Sequence, residues 1–115
     1  MNKFFVSIIV LAGMLYAGWA SAECLEPVDV VLPDGVTATT AEMVEGQANV
    51  KQYVVDAKAF LACMDEQEQA SAGTATEDDK KASVARYNAT VDRMQAAAQG
   101  FNEQIKAYKE VQAAN

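Results

Sequence analysis

The chain has 115 residues, with 16 Asp and Glu against 9 Lys and Arg and a formal net charge of −7. This acidity argues against nucleic acid or anionic lipid as a partner, because both are bound by basic surfaces. The chain has two cysteines and no histidine. Without histidine, a Ser–His or Cys–His nucleophile and most zinc, copper and haem sites are missing, and we expect no enzyme activity and no cofactor.

Residues 1–22 have the features of a cleaved export signal. Lys3 gives a positive start, residues 4–16 form an apolar run, and residues 20–22 are the small side chains Ala-Ser-Ala. The apolar run is short for a membrane span, and no stop-transfer charges follow it. We therefore expect a periplasmic or secreted protein with no membrane span after cleavage.

The remaining chain, residues 23–115, is the length of one small domain. Only Lys3 among the basic residues precedes position 23, so this part carries eight basic and sixteen acidic side chains. Cys24 is preceded by Glu23 where a lipid-attachment site would need Gly or Ala. The sequence therefore predicts a mature N-terminus at Glu23 rather than a lipoprotein.

Residues 23–38 are predicted to form an extended arm. Pro27 and Pro33 each remove a backbone donor and fix φ, and Pro33-Asp34-Gly35 is a turn signal. A turn there would run the arm back along the following helix. About 11 extended steps from Cys24 span roughly 34–37 Å, close to the roughly 35 Å of helix between Thr40 and Cys63.

The two cysteines predict one structural disulfide, between Cys24 and Cys63. An even cysteine count in an exported chain is typical of a disulfide, and the matching lengths bring the two residues together. Free thiols or intermolecular bonds are the alternative. A redox catalyst would have a C-x-x-C spacing, which is missing.

Two helices are predicted, over about 39–69 and about 76–112, joined by a loop at 70–75. Thr39-x-x-Glu42 is a capping box, and Thr76 caps a second helix whose first turn is acidic. A short loop between long helices predicts an all-α, antiparallel two-helix hairpin. The arm would pack along the first helix and be stapled there by the disulfide.

Apolar residues repeat at steps of three and four in both helices, which predicts a coiled-coil-like contact line. In the first helix this line is Met43, Gln47, Val50, Val54, Ala57, Leu61 and Met64; in the second it is Val84, Tyr87, Val91, Met94, Ala98, Phe101, Ile105 and Tyr108. A second stripe, Gly46, Tyr53 and Phe60, flanks the first line. We expect the arm to cover that stripe with its apolar residues between the prolines, which are Val28, Val30, Val31 and Leu32.

Five short motifs occur in order: C-x-x-P at 24–27, L-P-D-G at 32–35, E-M at 42–43, V-K-x-Y at 50–53 and F-L-x-C at 60–63. This pattern resembles that of a group of small exported proteobacterial proteins of unknown activity. The resemblance covers about residues 24–64. It implies a helical hairpin with an N-terminal arm, and it implies no catalytic or binding residue.

These features favour a non-catalytic cell-envelope protein that acts through protein–protein interaction or self-association. The second helix outreaches the first, so Phe101, Ile105 and Tyr108 are predicted to lack an internal partner and to face a homodimer mate or another envelope protein. The alternative is a periplasmic chaperone or stress sensor that binds unfolded chains.

The acidic clusters at 65–68 and 77–79 flank the interhelix loop. Such clusters are compatible with a calcium site, but a solvated end of the hairpin is the better interpretation.

Overall fold

The computed structural model describes residues 23–115, and the predicted export signal lies outside the described residues. Helix α1 is Thr40–Ser71 and helix α2 is Glu77–Ala114. The arm before α1 has no regular secondary structure apart from a turn at 35–37. The predicted all-α hairpin with an N-terminal arm is therefore confirmed, with each helix end within two residues of its expected place.

Each helix is preceded by the capping threonine that the sequence predicts, Thr39 before α1 and Thr76 before α2. The Thr39 hydroxyl accepts a hydrogen bond from the Glu42 amide at 3.2 Å, and the Glu42 carboxylate accepts one from the Thr39 amide at 2.7 Å. Thr76 makes the same reciprocal pair with Asp79 at 3.1 and 3.2 Å. Two otherwise unpaired amides are satisfied at each start, which fixes where α1 and α2 begin.

The helices run antiparallel, with the start of α1 beside the end of α2. The Thr40 hydroxyl is hydrogen-bonded to the Tyr108 hydroxyl, and Gly46 lies against the Phe101 ring. Neither helix among the described residues is both long and apolar enough to cross a membrane.

The core forms two clusters, one at each end of the arm. The loop-side cluster is Cys24, Phe60 and Met64, with Leu61, Cys63 and Tyr87 packed against it. The turn-side cluster is Met43, Val50 and Phe101, with Val30, Leu32, Ala38, Ile105 and Tyr108 packed against it. Arm residues contribute to both clusters, so the arm is the third layer of the domain.

The predicted contact lines are partly wrong in register. On α1, Met43, Val50, Ala57 and Met64 are buried as expected, but the positions between them are Gly46, Tyr53 and Phe60 rather than Gln47, Val54 and Leu61. On α2 the buried residues are Thr90, Ala97 and Phe101, whereas Val84 and Ala98 are exposed. The contact lines shift because the arm occupies the groove between the helices and buries the side of each helix that faces it.

Candidate functional site on the arm

The arm shows a three-residue repeat in the direction of its side chains. Cys24 is buried and Pro27, Val30 and Pro33 are half-buried, whereas Leu25, Val28 and Val31 are 84%, 89% and 86% exposed. Three residues per turn is the repeat of a polyproline II segment. The repeat places one row of side chains in the groove and another, Leu25, Val28 and Val31, in solvent. We call the solvent-facing row the ridge.

The inner row of the arm begins with the disulfide. Cys24 is bonded to Cys63 of α1, with their Cα atoms 5.7 Å apart, and the predicted pairing is confirmed. Cys24 contributes to the same cluster as Phe60. The arm therefore covers the Phe60 end of the predicted stripe, and Arg86 of α2 covers it as well, with its Cζ atom 5.5 Å from the Phe60 ring centre.

The third row of the arm carries two carboxylates toward α2. Glu26 meets Arg86 at 3.2 Å and Arg93 at 3.9 Å, and Asp29 meets Arg93 at 3.7 Å. Arg86 and Arg93 are the two arginines of the sequence, so both are used on the arm. Seven helical residues rise about 10.5 Å and three polyproline residues about 9.3 Å, which is why the two pairs align.

The C-terminal end of the arm is held by close contacts with glycines. A Cβ on Gly46 of α1 would lie 2.6 Å from the Pro33 ring, and a Cβ on Gly100 of α2 would lie 2.7 Å from Leu32 Cδ1. The two glycines thus leave space for the arm, one on each helix. Glycine in a helix costs about 1 kcal/mol relative to alanine, and the close packing of the arm against each glycine offsets this cost.

The turn after the arm is fixed by Asp34 and Gly35. The Asp34 side chain accepts from the Val36 amide at 2.9 Å, and its carbonyl accepts from the Thr37 and Ala38 amides at 3.1 and 2.7 Å. The Gly35 amide donates to Gln104 Oε1 of α2 at 2.8 Å. The chain therefore reverses against α2 and enters α1.

Phe101, Ile105 and Tyr108 do not form a free face, and this expectation is wrong. Phe101 is 6% exposed within the turn-side cluster, and Ile105 and Tyr108 pack against that cluster. The turn supplies one partner, since Gly35 lies on the backbone of Gln104 and Tyr108, and α1 supplies another, since the Thr40 hydroxyl is hydrogen-bonded to the Tyr108 hydroxyl. The extra length of α2 is thus used inside the chain.

Tyr53 lies beneath the middle of the arm, where its side chain is 4% exposed. Burial raises the pKa of the Tyr53 hydroxyl above 10.0, the nearby Asp29 carboxylate raises it further, and Arg93 opposes both. The folded protein therefore holds this proton more tightly than the unfolded chain does.

We expect the free energy of unfolding to fall as pH rises above about 10, through the raised Tyr53 pKa, while this contribution is complete below pH 10. Tyr53→Phe should remove this part of the alkaline loss, and Asp29→Asn should reduce it, because the Asp29 charge disfavours the tyrosinate. Urea unfolding between about pH 8 and about pH 11 measures the slope. Equal slopes in wild type and Tyr53→Phe would contradict the assignment.

The acidic clusters beside the interhelix loop do not assemble into a cation site. Within residues 23–115, no three potential metal-ligating side chains lie close enough together to hold a metal ion. The side chains of Glu77, Asp78 and Asp79 lie in the first turn of α2, where their negative charges interact favourably with the helix dipole.

Comparisons of the whole chain with protein-family models, with curated proteins and with solved structures find no match. The sequence predicts the arm and the disulfide, but the expectation that Val28 and Val31 pack inward is wrong, because both are exposed on the ridge. The arginine–carboxylate pairs are not predicted from the sequence. The detectable signal of the ridge is the three-residue repeat of Leu25, Val28 and Val31 around Pro27.

Proposed function

We propose that the protein is an exported, non-catalytic cell-envelope protein that presents the ridge to a partner protein. The observation that carries this proposal is the exposure of Leu25, Val28 and Val31, each above 80%, in one row on a braced segment. Single exposed apolar side chains are normal on protein surfaces, whereas a contiguous row marks an interaction site.

The bracing of the arm supports a binding role. The arm is fixed to α1 by the Cys24–Cys63 bond at one end and to α2 by the Gly35–Gln104 hydrogen bond at the other. A segment already held in its bound conformation loses less entropy when a partner docks. The ridge is therefore a preorganised extended ligand.

The charge around the ridge favours a partner with a basic rim. Glu23 and Asp56 lie beside Leu25 and Val28 in the hollow between arm and α1, and Glu26 and Asp29 line the other side. Residues 23–115 carry eight basic and sixteen acidic side chains, a net charge of −8, so two copies repel each other and a different protein is a better fit than self-association. Capture of unfolded chains is less well supported, because the arm fills the interhelix groove.

The proposed compartment follows from the cysteines and the N-terminal sequence together. The disulfide fits an oxidising environment such as the periplasm or the exterior of the cell. Residues 1–22 supply the proposed route, as a signal peptide that is removed on export.

The triple variant Leu25→Ser/Val28→Ser/Val31→Ser is expected to lose partner binding and keep its fold. A photo-crosslinking side chain at position 28 should yield a covalent adduct with the partner in intact cells. With the crosslinker kept at position 28, Leu25→Ser and Val31→Ser together should reduce the yield of that adduct at least tenfold. The thermal unfolding of the serine variant should be close to wild type, since exposed substitutions change stability by about 0.5 kcal/mol or less.

The matched control carries the crosslinker at Val55, an exposed valine of α1 that lies outside the ridge. The control should give no adduct of the same mass. An adduct of twice the chain mass would show self-association instead. Equal adducts from positions 28 and 55, or no adduct from either, would contradict the proposed display of the ridge.

A further inference from the structure

We propose that the groove beneath the first half of the arm, residues 24–30, is a peptide-binding site that the arm occupies and that reduction of the Cys24–Cys63 bond opens. Its ligand is an extended acidic peptide with two carboxylates three residues apart. This site is on the inner side of the arm, so the inference is independent of the ridge.

The two halves of the arm are attached in different ways. Leu32, Pro33 and Gly35 approach Gly100, Gly46 and the backbone of Gln104 closely, and the Gly35 amide is hydrogen-bonded to the Gln104 side chain. The first half is held by the disulfide, by the half-buried Pro27 and Val30, and by ion pairs whose side chains are all more than a third exposed. Exposed ion pairs contribute little on their own. The disulfide is the one covalent attachment of this half, so we expect its reduction to release the first half while the second half stays docked.

Release of the first half exposes two aromatic side chains that the arm otherwise buries. Phe60 is 2% exposed and Tyr53 is 4% exposed beneath the arm. Aromatic rings in a row on a groove are the usual surface for an extended, proline-containing peptide.

The same release frees two cationic groups at a fixed spacing. The guanidinium groups of Arg86 and Arg93 project from one helix about 10.5 Å apart along its axis. They bind Glu26 and Asp29, which are about 9.3 Å apart along a polyproline segment. The arm thus shows which ligand fits, with apolar side chains inward at 24, 27 and 30 and carboxylates at 26 and 29.

Opening the groove is a two-electron reduction. An external dithiol of the exported oxidoreductase class attacks the disulfide, a mixed disulfide forms, and the second thiol of the reductant displaces the protein sulfur. The Cys24–Cys63 bond is replaced by two protein thiols, which take up the two protons, and the reductant becomes a disulfide. The freed arm stays tethered, and it competes with an incoming peptide at an effective concentration in the millimolar range.

The test uses full-length protein purified from the periplasm, as oxidised wild type and as Cys24→Ser/Cys63→Ser. The probe is a fluorescein-labelled peptide with the sequence of residues 24–30 and serine in place of the cysteine. Fluorescence anisotropy at about 15 °C, near the usual temperature of maximum stability, measures its affinity. We expect binding to the serine variant at least tenfold tighter than to the oxidised protein.

A charge swap distinguishes specific recognition of the carboxylates from nonspecific binding. A peptide with lysine at both acidic positions should bind the serine variant at least tenfold more weakly. Adding Arg86→Glu and Arg93→Glu to that variant should restore binding of the lysine peptide and abolish binding of the acidic one. An arginine pair with a purely structural role would give no such exchange of preference.

Wild-type protein reduced with dithiothreitol is the second form tested, because it carries no substitution. Equal affinity for oxidised and reduced protein, the same affinity for both peptides, or no binding up to a few millimolar peptide would overturn the proposal. Loss of the helical circular dichroism in both disulfide-free forms would also overturn it, because the groove would then not exist without the bond.

Discussion

Replacing Cys24 and Cys63 with serine is expected to lower the free energy of unfolding by about 4 kcal/mol. The bond joins residues 39 positions apart, so it removes much of the conformational freedom of the unfolded chain. The loss is large for this protein, because a domain of this size buries little core and has a total stability of about 5–15 kcal/mol. Urea unfolding followed by circular dichroism at 222 nm measures the change.

Reduced wild-type protein is the control for this prediction, and it should unfold at the same urea concentration as the serine variant. Agreement between the two would assign the loss to the bond rather than to the serine side chains. A serine variant within about 1 kcal/mol of the oxidised protein would show that the arm is held mainly by its other contacts.

Gly35→Ala is expected to lower the free energy of unfolding by about 3 kcal/mol, the upper end of the usual range for overpacking. The added Cβ would lie 2.0 Å from the Gln104 carbonyl oxygen and 2.9 Å from the Tyr108 nitrogen. Both atoms belong to the α2 backbone, so no rotamer change relieves the contact. The turn must move away from α2, and the Gly35–Gln104 hydrogen bond is lost with it.

Gly73→Ala is the matched control, because no atom lies within 4 Å of a Cβ placed at Gly73 in the interhelix loop. It should change stability by less than about 0.5 kcal/mol. Gly35 and Cys24 hold opposite ends of the arm, about 34 Å apart when extended, so the Gly35→Ala and serine substitutions should add. A Gly35→Ala protein as stable as Gly73→Ala would show that the turn is not fixed against α2.

The sequence is sufficient for the hairpin because its helix signals are local. Thr39 with Glu42, and Thr76 with its acidic first turn, mark the helix starts without reference to the rest of the fold. The disulfide was also predictable, since two cysteines allow one internal pairing and the arm length matches α1. Capping motifs and the number of cysteines can be read without knowledge of the tertiary structure, and the structure agrees with both.

The contact lines were not predictable from heptad spacing, because that spacing assumes two helices that pack only against each other. Here the arm is a third body in the groove. Small residues are buried where bodies approach closely, and Gly46, Thr90 and Ala97 are such positions. The Thr90 hydroxyl is satisfied within its own helix by the Arg86 carbonyl at 3.0 Å, so it can be fully buried. A hydrophobicity pattern gives these residues little weight.

The arginine–carboxylate pairs lie beyond sequence reasoning for a different reason. Glu26 and Arg86 are 60 residues apart, and surface charges of both signs are common on every helix. Only the three-residue repeat of the arm against the seven-residue spacing on α2 makes the pairing specific. That match becomes visible once the arm is known to lie in the groove.

The length match between the arm and α1 also determines which parts of the chain must be in place before the Cys24–Cys63 bond has its native geometry. Cys24 reaches Cys63 in the native geometry only after α1 is helical as far as Cys63 and the chain has reversed at Gly35. The bond in its native setting therefore reports that residues 24–63, less than half of the domain, are already in place.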